Sequence, residues 1–146
     1  MSLKTFKSYT KSTRGTVLVD RKNLWKGKPH KSLTLGKHST GGRNNLGRIT
    51  SRHRGAGHKK KYREIDFYRK KDDISAVIER IEYDPNRSAY VALIKYDDGV
   101  INYIIAPNKI EIGDKIVSGR NKEIKIGYCM PLSDIPEGTI FNNIEM

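Results

Sequence analysis

The sequence predicts an all-β fold, on three observations. Short apolar runs recur at roughly ten-residue spacing in the second half of the chain, an α-helical period is almost absent, and basic residues crowd the first half. Five short strands at this spacing are typical of a small barrel, and the OB type matches in strand number and in its preference for nucleic acids. We therefore predict a small five-stranded OB-type barrel, preceded by a long, extended, basic N-terminal arm.

The five predicted strands are short apolar runs bounded by turn residues. In the second strand the apolar phase slips between Ile78 and Ile81, which predicts a bulge near Glu79-Arg80. The third strand is apolar on both sides and is predicted to be buried on both faces. Asp98-Gly99, which follows it, predicts a hairpin to the fourth strand. The predicted strands cover residues 62–69, 74–83, 89–96, 100–105 and 115–117.

Charge divides the chain into unequal halves. Residues 1–71 hold 21 Lys and Arg against three acidic residues, a net charge of +18, whereas residues 72–146 hold 8 against 13, a net charge of −5. So basic a segment repels itself and needs a polyanion to become ordered. We predict an extended RNA-binding arm at residues 1–60, the barrel at residues 61–126, and an irregular linker or docking tail at residues 127–146.

The densest feature is the segment Gly41–Arg63, which mixes Gly, Arg, Asn, His and Lys. Arginine grips phosphate with a planar fork and stacks on bases, while Asn can bond base edges and 2′-hydroxyls. Glycine lets the backbone approach the sugar-phosphate closely, and His and Tyr add stacking surfaces. The pattern therefore indicates RNA contact more strongly than a plain Lys/Arg run, which can be only a solvated tail.

Enzymatic interpretations of the same residues fail on spacing. The interval from Gly42 to Gly47 suits a phosphate-binding loop, but Arg48-Ile49 stand where Lys and Ser/Thr are needed. His53 and His58 are five residues apart, which suits neither one helix face nor one strand face. Paired carboxylates such as Asp72-Asp73 lie in predicted turns, where Asp is common for structural reasons. We predict no catalytic residue and no metal site, so the chain is interpreted as not an enzyme.

Other classes are excluded by simple counts. Cys129 is the single cysteine, so no intrachain disulfide can form, and it lies near no base that could activate it. No apolar run approaches the roughly 20 residues needed to cross a bilayer, so no membrane partner is predicted. No cofactor is predicted either, although rRNA-associated Mg²⁺ is compatible with the RNA-binding interpretation.

Two long motifs carry a family resemblance. Gly41–Arg63 and Ala76–Ala89 together closely resemble the L-two family of large-subunit ribosomal proteins, in its bacterial and organellar form. The resemblance extends over nearly the whole chain from about Lys26 onward. Further matching motifs are Lys26–Pro29, Tyr103-Ile104, Ala106-Pro107, Gly113-Asp114 and Asn143–Met146.

The resemblance implies an OB-type barrel with an RNA-binding arm, which would bind large-subunit rRNA near the peptidyl-transferase region beside neighbouring ribosomal proteins. Arg87 and Ser88 lie in a tight loop that could also reach RNA, and Lys28 joins the predicted contacts. Arg54, Lys60 and Lys61 depart from the family pattern and add basicity. The rRNA contacts that the family pattern implies are Arg43, Asn44, Asn45, Arg48, Arg52, His53, His58, Lys59, Tyr62 and Arg63.

The family normally continues into a second, SH3-like barrel and a basic C-terminal segment with a histidine-containing loop. We expect that half to be supplied here by a separate polypeptide, the chain being one half of a split protein. The content of Lys, Ile and Asn suggests an AT-rich genome and hence a mitochondrial, organelle-encoded ribosomal protein. The alternative location is the bacterial cytoplasm.

Three functional classes can be compared. The leading interpretation is a non-catalytic constituent of the large ribosomal subunit that binds and organises rRNA. The runner-up is an RNA-binding module outside the ribosome, such as a translation or RNA-chaperone factor. An RNA-modifying enzyme is the weakest, because the sequence assembles no nucleophile, base and oxyanion site.

Overall fold

The computed structural model describes residues 3–55 and 57–145. Within these residues there are eight β-strands, two short 3-10 turns and no α-helix, so the predicted all-β class is confirmed. The 3-10 turns are Lys31–Leu33 and Leu132–Asp134. The strands are β1 Leu3–Thr5, β2 Val17–Val19, β3 Thr34–Lys37, β4 Lys60–Arg63, β5 Ala76–Glu82, β6 Val91–Tyr96, β7 Ile101–Ile105 and β8 Lys115–Ile116.

A four-stranded antiparallel sheet, in the order β7-β6-β5-β8, forms the centre of the molecule. The register of β5 against β6 shifts between Ile78 and Arg80, which confirms the predicted bulge and bends the strand. Tyr103 in β7 forms a parallel bridge with Ile65, and Glu82 in β5 forms another with Trp25. The result is a curled half-barrel that is consistent with the OB type.

The core is built on both faces of β6. Leu93 packs with Val91 and Tyr103 on one face, whereas Ile94 belongs to a larger cluster on the other. Burial on both faces was predicted for this strand from its apolar sequence, and it is confirmed. The larger cluster contains Ala76, Ile78, Ala92, Ile94, Tyr96, Ile104, Ile110 and Ile116.

The predicted hairpin between the third and fourth strands is also confirmed. Tyr96 donates its backbone N–H to the Val100 carbonyl at 2.9 Å, and Gly99 donates back to the Tyr96 carbonyl at 2.9 Å. Gly99 has a φ of +85°, a left-handed conformation that a glycine adopts without a steric penalty. The Asp-Gly turn therefore closes β6 onto β7 as the sequence indicated.

The segment predicted as an extended arm contains three strands. β1 and β2 form a separate two-stranded sheet, and β3 pairs with β4 in antiparallel register from Thr34↔Arg63 to Lys37↔Lys60. β4 also ends at Arg63, earlier than the predicted residue 69. Backbone pairing between residues far apart in sequence makes β3, and its composition of Thr, Leu, Gly and Lys gave no apolar alternation to reveal it.

The first part of the C-terminal tail contacts the sheet. Cys129 donates its N–H to the Val117 carbonyl at 3.2 Å and accepts from the Gly119 N–H at 3.0 Å. Beyond the 3-10 turn at Leu132–Asp134 the described residues up to 145 have no strand or helix. Among the described residues no helix is both long enough and apolar enough to cross a membrane.

Candidate nucleic-acid interface

The connection between β3 and β4, residues 38–59, is named here the basic loop. It contains four arginines, one lysine and three histidines and no Asp or Glu. Antiparallel pairing of β3 with β4 brings its two ends together at Lys37 and Lys60. The hairpin therefore holds one strongly cationic loop at the end of two paired strands.

A compact inner turn shapes the basic loop. The Oδ1 atom of Asn44 accepts from the N–H groups of Leu46 at 3.0 Å and Arg48 at 2.9 Å. The Asn44 N–H donates to the Arg48 carbonyl at 2.9 Å, which closes the turn. Asn44 was predicted to contact RNA. In the structure its side-chain carbonyl accepts hydrogen bonds from the loop backbone.

Gly42 allows the loop to fold back on itself. Its carbonyl accepts from the N–H groups of Thr50 at 2.9 Å and Ser51 at 3.1 Å. Gly42 has a φ of +73°, and a Cβ atom at this position would lie 2.2 Å from the Ser51 carbonyl oxygen. Only glycine fits this close approach without movement of the backbone.

Most of the predicted contact residues are exposed around this framework. Arg43 also donates from Nη1 to the Gly47 carbonyl at 2.8 Å, so its guanidinium is partly oriented before any ligand arrives. Of the predicted contacts, those that the structure leaves exposed are Lys28, Arg43, Asn45, Arg48, Arg52, His53, Arg54, His58, Lys59, Lys60, Lys61 and Ser88.

Arg63 is placed differently from its predicted neighbours. It is buried, with its Nε donating to Glu82 Oε2 at 3.2 Å and its Nη1 3.8 Å from Asp84 Oδ1. Its guanidinium is directed at two buried carboxylates, so we assign it to the framework and leave it out of the RNA surface proposed below. The sequence contained one usable signal, the two acidic residues that flank Tyr83.

Glu82 and Asp84 each bind a further arginine. Arg80 donates from Nε to Glu82 Oε1 at 2.8 Å, and Arg87 donates from Nε to Asp84 Oδ2 at 2.7 Å. Such pairing offsets the large cost of removing carboxylates from water. Three arginines and two carboxylates thus form one connected network under the base of the basic loop, which sequence analysis missed.

Tyr103 connects this network to the core. Its hydroxyl donates to Glu82 Oε1 at 2.8 Å and accepts from the His30 N–H at 2.9 Å. Burial raises the pKa of the Tyr103 phenol above its ordinary value, and the adjacent Glu82 carboxylate adds to the increase. The phenol therefore serves as a neutral donor to Glu82 at neutral pH.

The tight loop after β5 lies against β4. Asn86 donates from Nδ2 to the Lys61 carbonyl at 2.7 Å, and the Arg87 guanidinium lies over the Tyr62 ring, 5.8 Å from its centroid. These contacts bring Arg87 and the exposed Ser88 to the base of the basic loop, although they are far from it in sequence. Tyr62 itself is half-buried.

The histidines of the loop lie at its surface. His53 and His58 are both exposed, and His53 has a φ of +60°. Within residues 3–55 and 57–145, no group of three or more His, Cys, Asp and Glu side chains is arranged to hold a metal ion.

A strongly cationic loop without acidic residues, held at the end of the β3–β4 pair beside a curled antiparallel sheet, is typical of a nucleic-acid-binding β domain. Residues 30–118 match the family described as Ribosomal Proteins L2, RNA binding N-terminal domain. The chain belongs to this family.

Similar proteins cover the whole chain. Large ribosomal subunit protein uL2 of Granulibacter bethesdensis is 63% identical over 146 residues, 100% of this chain and 53% of the relative. The uL2 proteins of Pelagibacter ubique and Rickettsia prowazekii are each 62% identical over 100% of this chain, which covers 52% and 54% of them. The chain therefore spans about half the length of the curated relatives it matches.

These comparisons bear on the sequence predictions. The resemblance to the L-two family is confirmed, and the interpretation of the chain as a structural, non-enzymatic protein is confirmed by the same family membership. The relatives named above are bacterial, which does not support the mitochondrial expectation and fits the bacterial alternative better.

Proposed function

We propose that this chain is a non-catalytic constituent of the large ribosomal subunit that binds and organises large-subunit rRNA, chiefly through the basic loop. The observation that carries the proposal is the combination of a fixed loop backbone with exposed cationic side chains. The family description supports RNA as the ligand, and the relatives named uL2 support the large ribosomal subunit as the assembly.

Charge is the first support for RNA as the ligand. From Arg21 to Arg63 the chain contains 14 Lys and Arg and no acidic residue. Each phosphate that such residues neutralise releases condensed counterions, which favours association strongly at low salt. Glu82 and Asp84, which lie against Arg63 at the end of β4, are paired with arginines and buried, so they oppose this attraction little.

Preorganisation is the second support. The turn bonds of Asn44 and the bonds to the Gly42 carbonyl fix the backbone of residues 42–51 before RNA binds. The Arg63–Glu82 pair fixes the end of β4, the strand that follows the loop. Ordering the loop in advance reduces the conformational entropy that binding removes.

Individual roles follow from exposure and chemistry. Asn45 suits a base edge or a 2′-hydroxyl, and His53 and His58 suit base stacking. Arg87 and Ser88, held against β4, extend the surface beyond the loop, and Tyr62 and Arg63 support it from below. The residues proposed to contact phosphates are Lys28, Arg43, Arg48, Arg52, Arg54, Lys59, Lys60 and Lys61.

The proposal also covers the position of the chain in the ribosome and its partners. We propose rRNA near the peptidyl-transferase region and neighbouring ribosomal proteins as partners, with Mg²⁺ held by the RNA and no protein-bound cofactor. A bacterial ribosome fits the relatives better than a mitochondrial one, and cell fractionation distinguishes them. A separate polypeptide for the second half of the family's length is a further hypothesis, which a continuous reading frame through both halves would exclude.

Sedimentation tests the proposal against an RNA-binding factor outside the ribosome. Tagged chain is expressed in cells, and the subunits are separated by centrifugation at low and high salt. A ribosomal constituent stays with the large subunit after the high-salt wash, whereas a transient factor moves to the top of the gradient. Hydroxyl-radical footprinting of the retained particles should then show protection of rRNA that disappears with Arg48→Ala/Arg52→Ala.

A further inference from the structure

A cleft next to β4, the strand that follows the basic loop, is lined mostly by residues that have no part in the RNA contacts proposed above. It has a volume of about 320 Å³ and lies between the segment around Trp25 and the end of β5. Trp25 and Tyr83 line it together with Pro85, while Arg63 and Glu82 lie at its floor. Its size is at the lower end of the range of small-ligand sites, which is about 300–1,000 Å³.

The two aromatic rings are exposed yet held in position. Trp25 is 49% exposed and Tyr83 is 37% exposed. The Arg80 guanidinium lies 4.8 Å from the centroid of the Trp25 ring, and that of Arg21 lies 3.7 Å from the centroid of the Tyr83 ring. Each ring therefore has an arginine partner that limits its rotation while much of its surface stays in contact with solvent.

Backbone contacts hold Trp25 in place further. The backbone N–H of Trp25 donates to the Ile81 carbonyl at 2.8 Å, next to the bridge with Glu82. A Cβ atom at Gly27 would lie 2.6 Å from Trp25 Nε1, so the glycine backbone packs directly against the ring. A large apolar surface held this firmly loses little entropy when a ligand contacts it.

The charge around the cleft selects the ligand. Lys61 borders it as an exposed cation, and Lys26 follows Trp25 directly. The one carboxylate at the floor, Glu82, accepts from Arg63, Arg80 and Tyr103, so its charge is compensated. A flat, uncharged group attached to a polyanion fits aromatic walls inside a cationic rim.

We propose that this cleft binds one unstacked nucleobase of single-stranded RNA, against Trp25 and Tyr83, while Lys61 contacts the adjoining phosphate. Bases that leave the helical stack are commonly held against aromatic side chains and arginine planes. Lys61 in β4 continues directly from the basic loop, so one RNA strand can contact both surfaces. This inference rests on the proposed RNA-binding function and adds a base-binding site to it.

The single tryptophan of the chain makes the test specific, because Trp25 is the only source of indole fluorescence. The full chain is titrated with an oligoadenylate decamer and with an abasic ribose-phosphate decamer of equal charge. Fluorescence anisotropy of end-labelled oligomers reports binding, and Trp25 emission reports contact in the cleft. We expect both oligomers to bind, oligoadenylate more tightly, and only oligoadenylate to quench Trp25.

Substitution at Tyr83 provides the second measurement. Tyr83→Ala should weaken oligoadenylate binding by about 5- to 140-fold, the factor that corresponds to about 1–3 kcal/mol for one stacked base. Tyr83→Phe keeps the ring and should restore the affinity. Tyr68→Ala is the matched control, since Tyr68 is an exposed tyrosine that does not line the cleft.

The outcomes separate this inference from the proposed function. If rRNA fragments and oligoadenylate bind but Trp25 emission is unchanged, or if Tyr83→Ala and Tyr68→Ala behave alike, the base site is wrong and RNA binding stands. If neither rRNA nor oligoadenylate binds, both proposals fail. Quenching by a polyproline peptide and not by oligoadenylate would assign the cleft to a protein segment and overturn the inference.

Discussion

The guanidinium of Arg63 lies against the carboxylate of Glu82, with 3.2 Å between Nε and Oε2 and side chains only 9% and 3% exposed. Arg63 ends β4, which begins at the base of the basic loop, and Glu82 ends β5 in the central sheet. The same ion pair therefore stabilises the fold and fixes the surface that is proposed to bind RNA.

The first prediction concerns removal of this carboxylate. Glu82→Ala leaves Arg63 buried without its closest partner and deprives Arg80 and Tyr103 of an acceptor. Breaking a buried pair by removing one member costs about 3–5 kcal/mol. Urea denaturation should show a loss of this size. Glu79→Ala, at an exposed position of the same strand, should change the free energy of unfolding by less than about 0.5 kcal/mol; equal effects of the two would contradict the network.

The second prediction compares two glycines of the basic loop. Gly42 and Gly47 have similar positive φ values, +73° and +75°, but only at Gly42 would a Cβ atom meet another residue, the Ser51 carbonyl. Gly42→Ala should therefore disrupt the loop more than Gly47→Ala, which adds backbone strain alone. Hydrogen exchange at the Thr50 and Ser51 amides, which bond to the Gly42 carbonyl, measures the difference. Equal protection in both variants would show that the inner turn does not depend on this close approach.

Features set by neighbouring residues were predictable from the sequence. The bulge near Ile78–Arg80 and the Asp98-Gly99 hairpin both depend on residues a few positions apart, and the structure confirms them. The burial of β6 on both faces follows from its own apolar composition. Local pattern and turn chemistry are sufficient for elements of this kind.

Features that depend on distant partners were missed. β3 exists because its backbone pairs with β4, and nothing in the side chains of Thr34–Lys37 distinguishes it from a loop. Arg63 resembles its basic neighbours in sequence, yet Glu82 and Asp84 draw it into the interior. Arg63 has two chemically reasonable kinds of partner, an RNA phosphate and a buried carboxylate, and only the fold decides between them.

A third prediction tests the core. Leu93 is 1% exposed and packs with Val91 and Tyr103. Leu93→Ala should lower the free energy of unfolding by about 2–5 kcal/mol, because the reduced burial and the cavity left behind both contribute. Leu46→Ala removes the same atoms from a loop residue that is 75% exposed and should cost far less. Chemical denaturation distinguishes them, and similar losses at both sites would place Leu93 outside the core.

A fourth prediction concerns alkaline pH. Burial raises the pKa of Tyr103 above 10.0 in the folded state, so the folded chain holds this proton more tightly than the unfolded chain. Stability is therefore unaffected well below pH 10.0 and falls as pH rises above that value, until the folded-state pKa is also passed. Burial raises the pKa of Tyr96 too, so Tyr103→Phe should reduce the alkaline loss without abolishing it. Urea titrations across this range provide the measurement; an unchanged slope in Tyr103→Phe, matching the exposed control Tyr68→Phe, would argue against it.

The last prediction separates binding from folding. Arg48 and Arg52 are exposed on the basic loop, and neither forms an ion pair with a described residue. Arg48→Ala and Arg52→Ala should weaken binding to an rRNA fragment while the melting temperature stays nearly unchanged. For each phosphate that a variant no longer neutralises, the slope of log K against log salt should become shallower by about 0.7–0.9.

Arg120→Ala is the matched control, because it removes an exposed arginine outside the basic loop. It should leave both the affinity and the salt slope as they are in the unsubstituted chain. A loop variant that lowers the melting temperature as much as Glu82→Ala does would mean that these arginines support the fold. A loop variant that binds with unchanged salt slope would mean that the phosphates are bound elsewhere, and the basic loop would lose its proposed role.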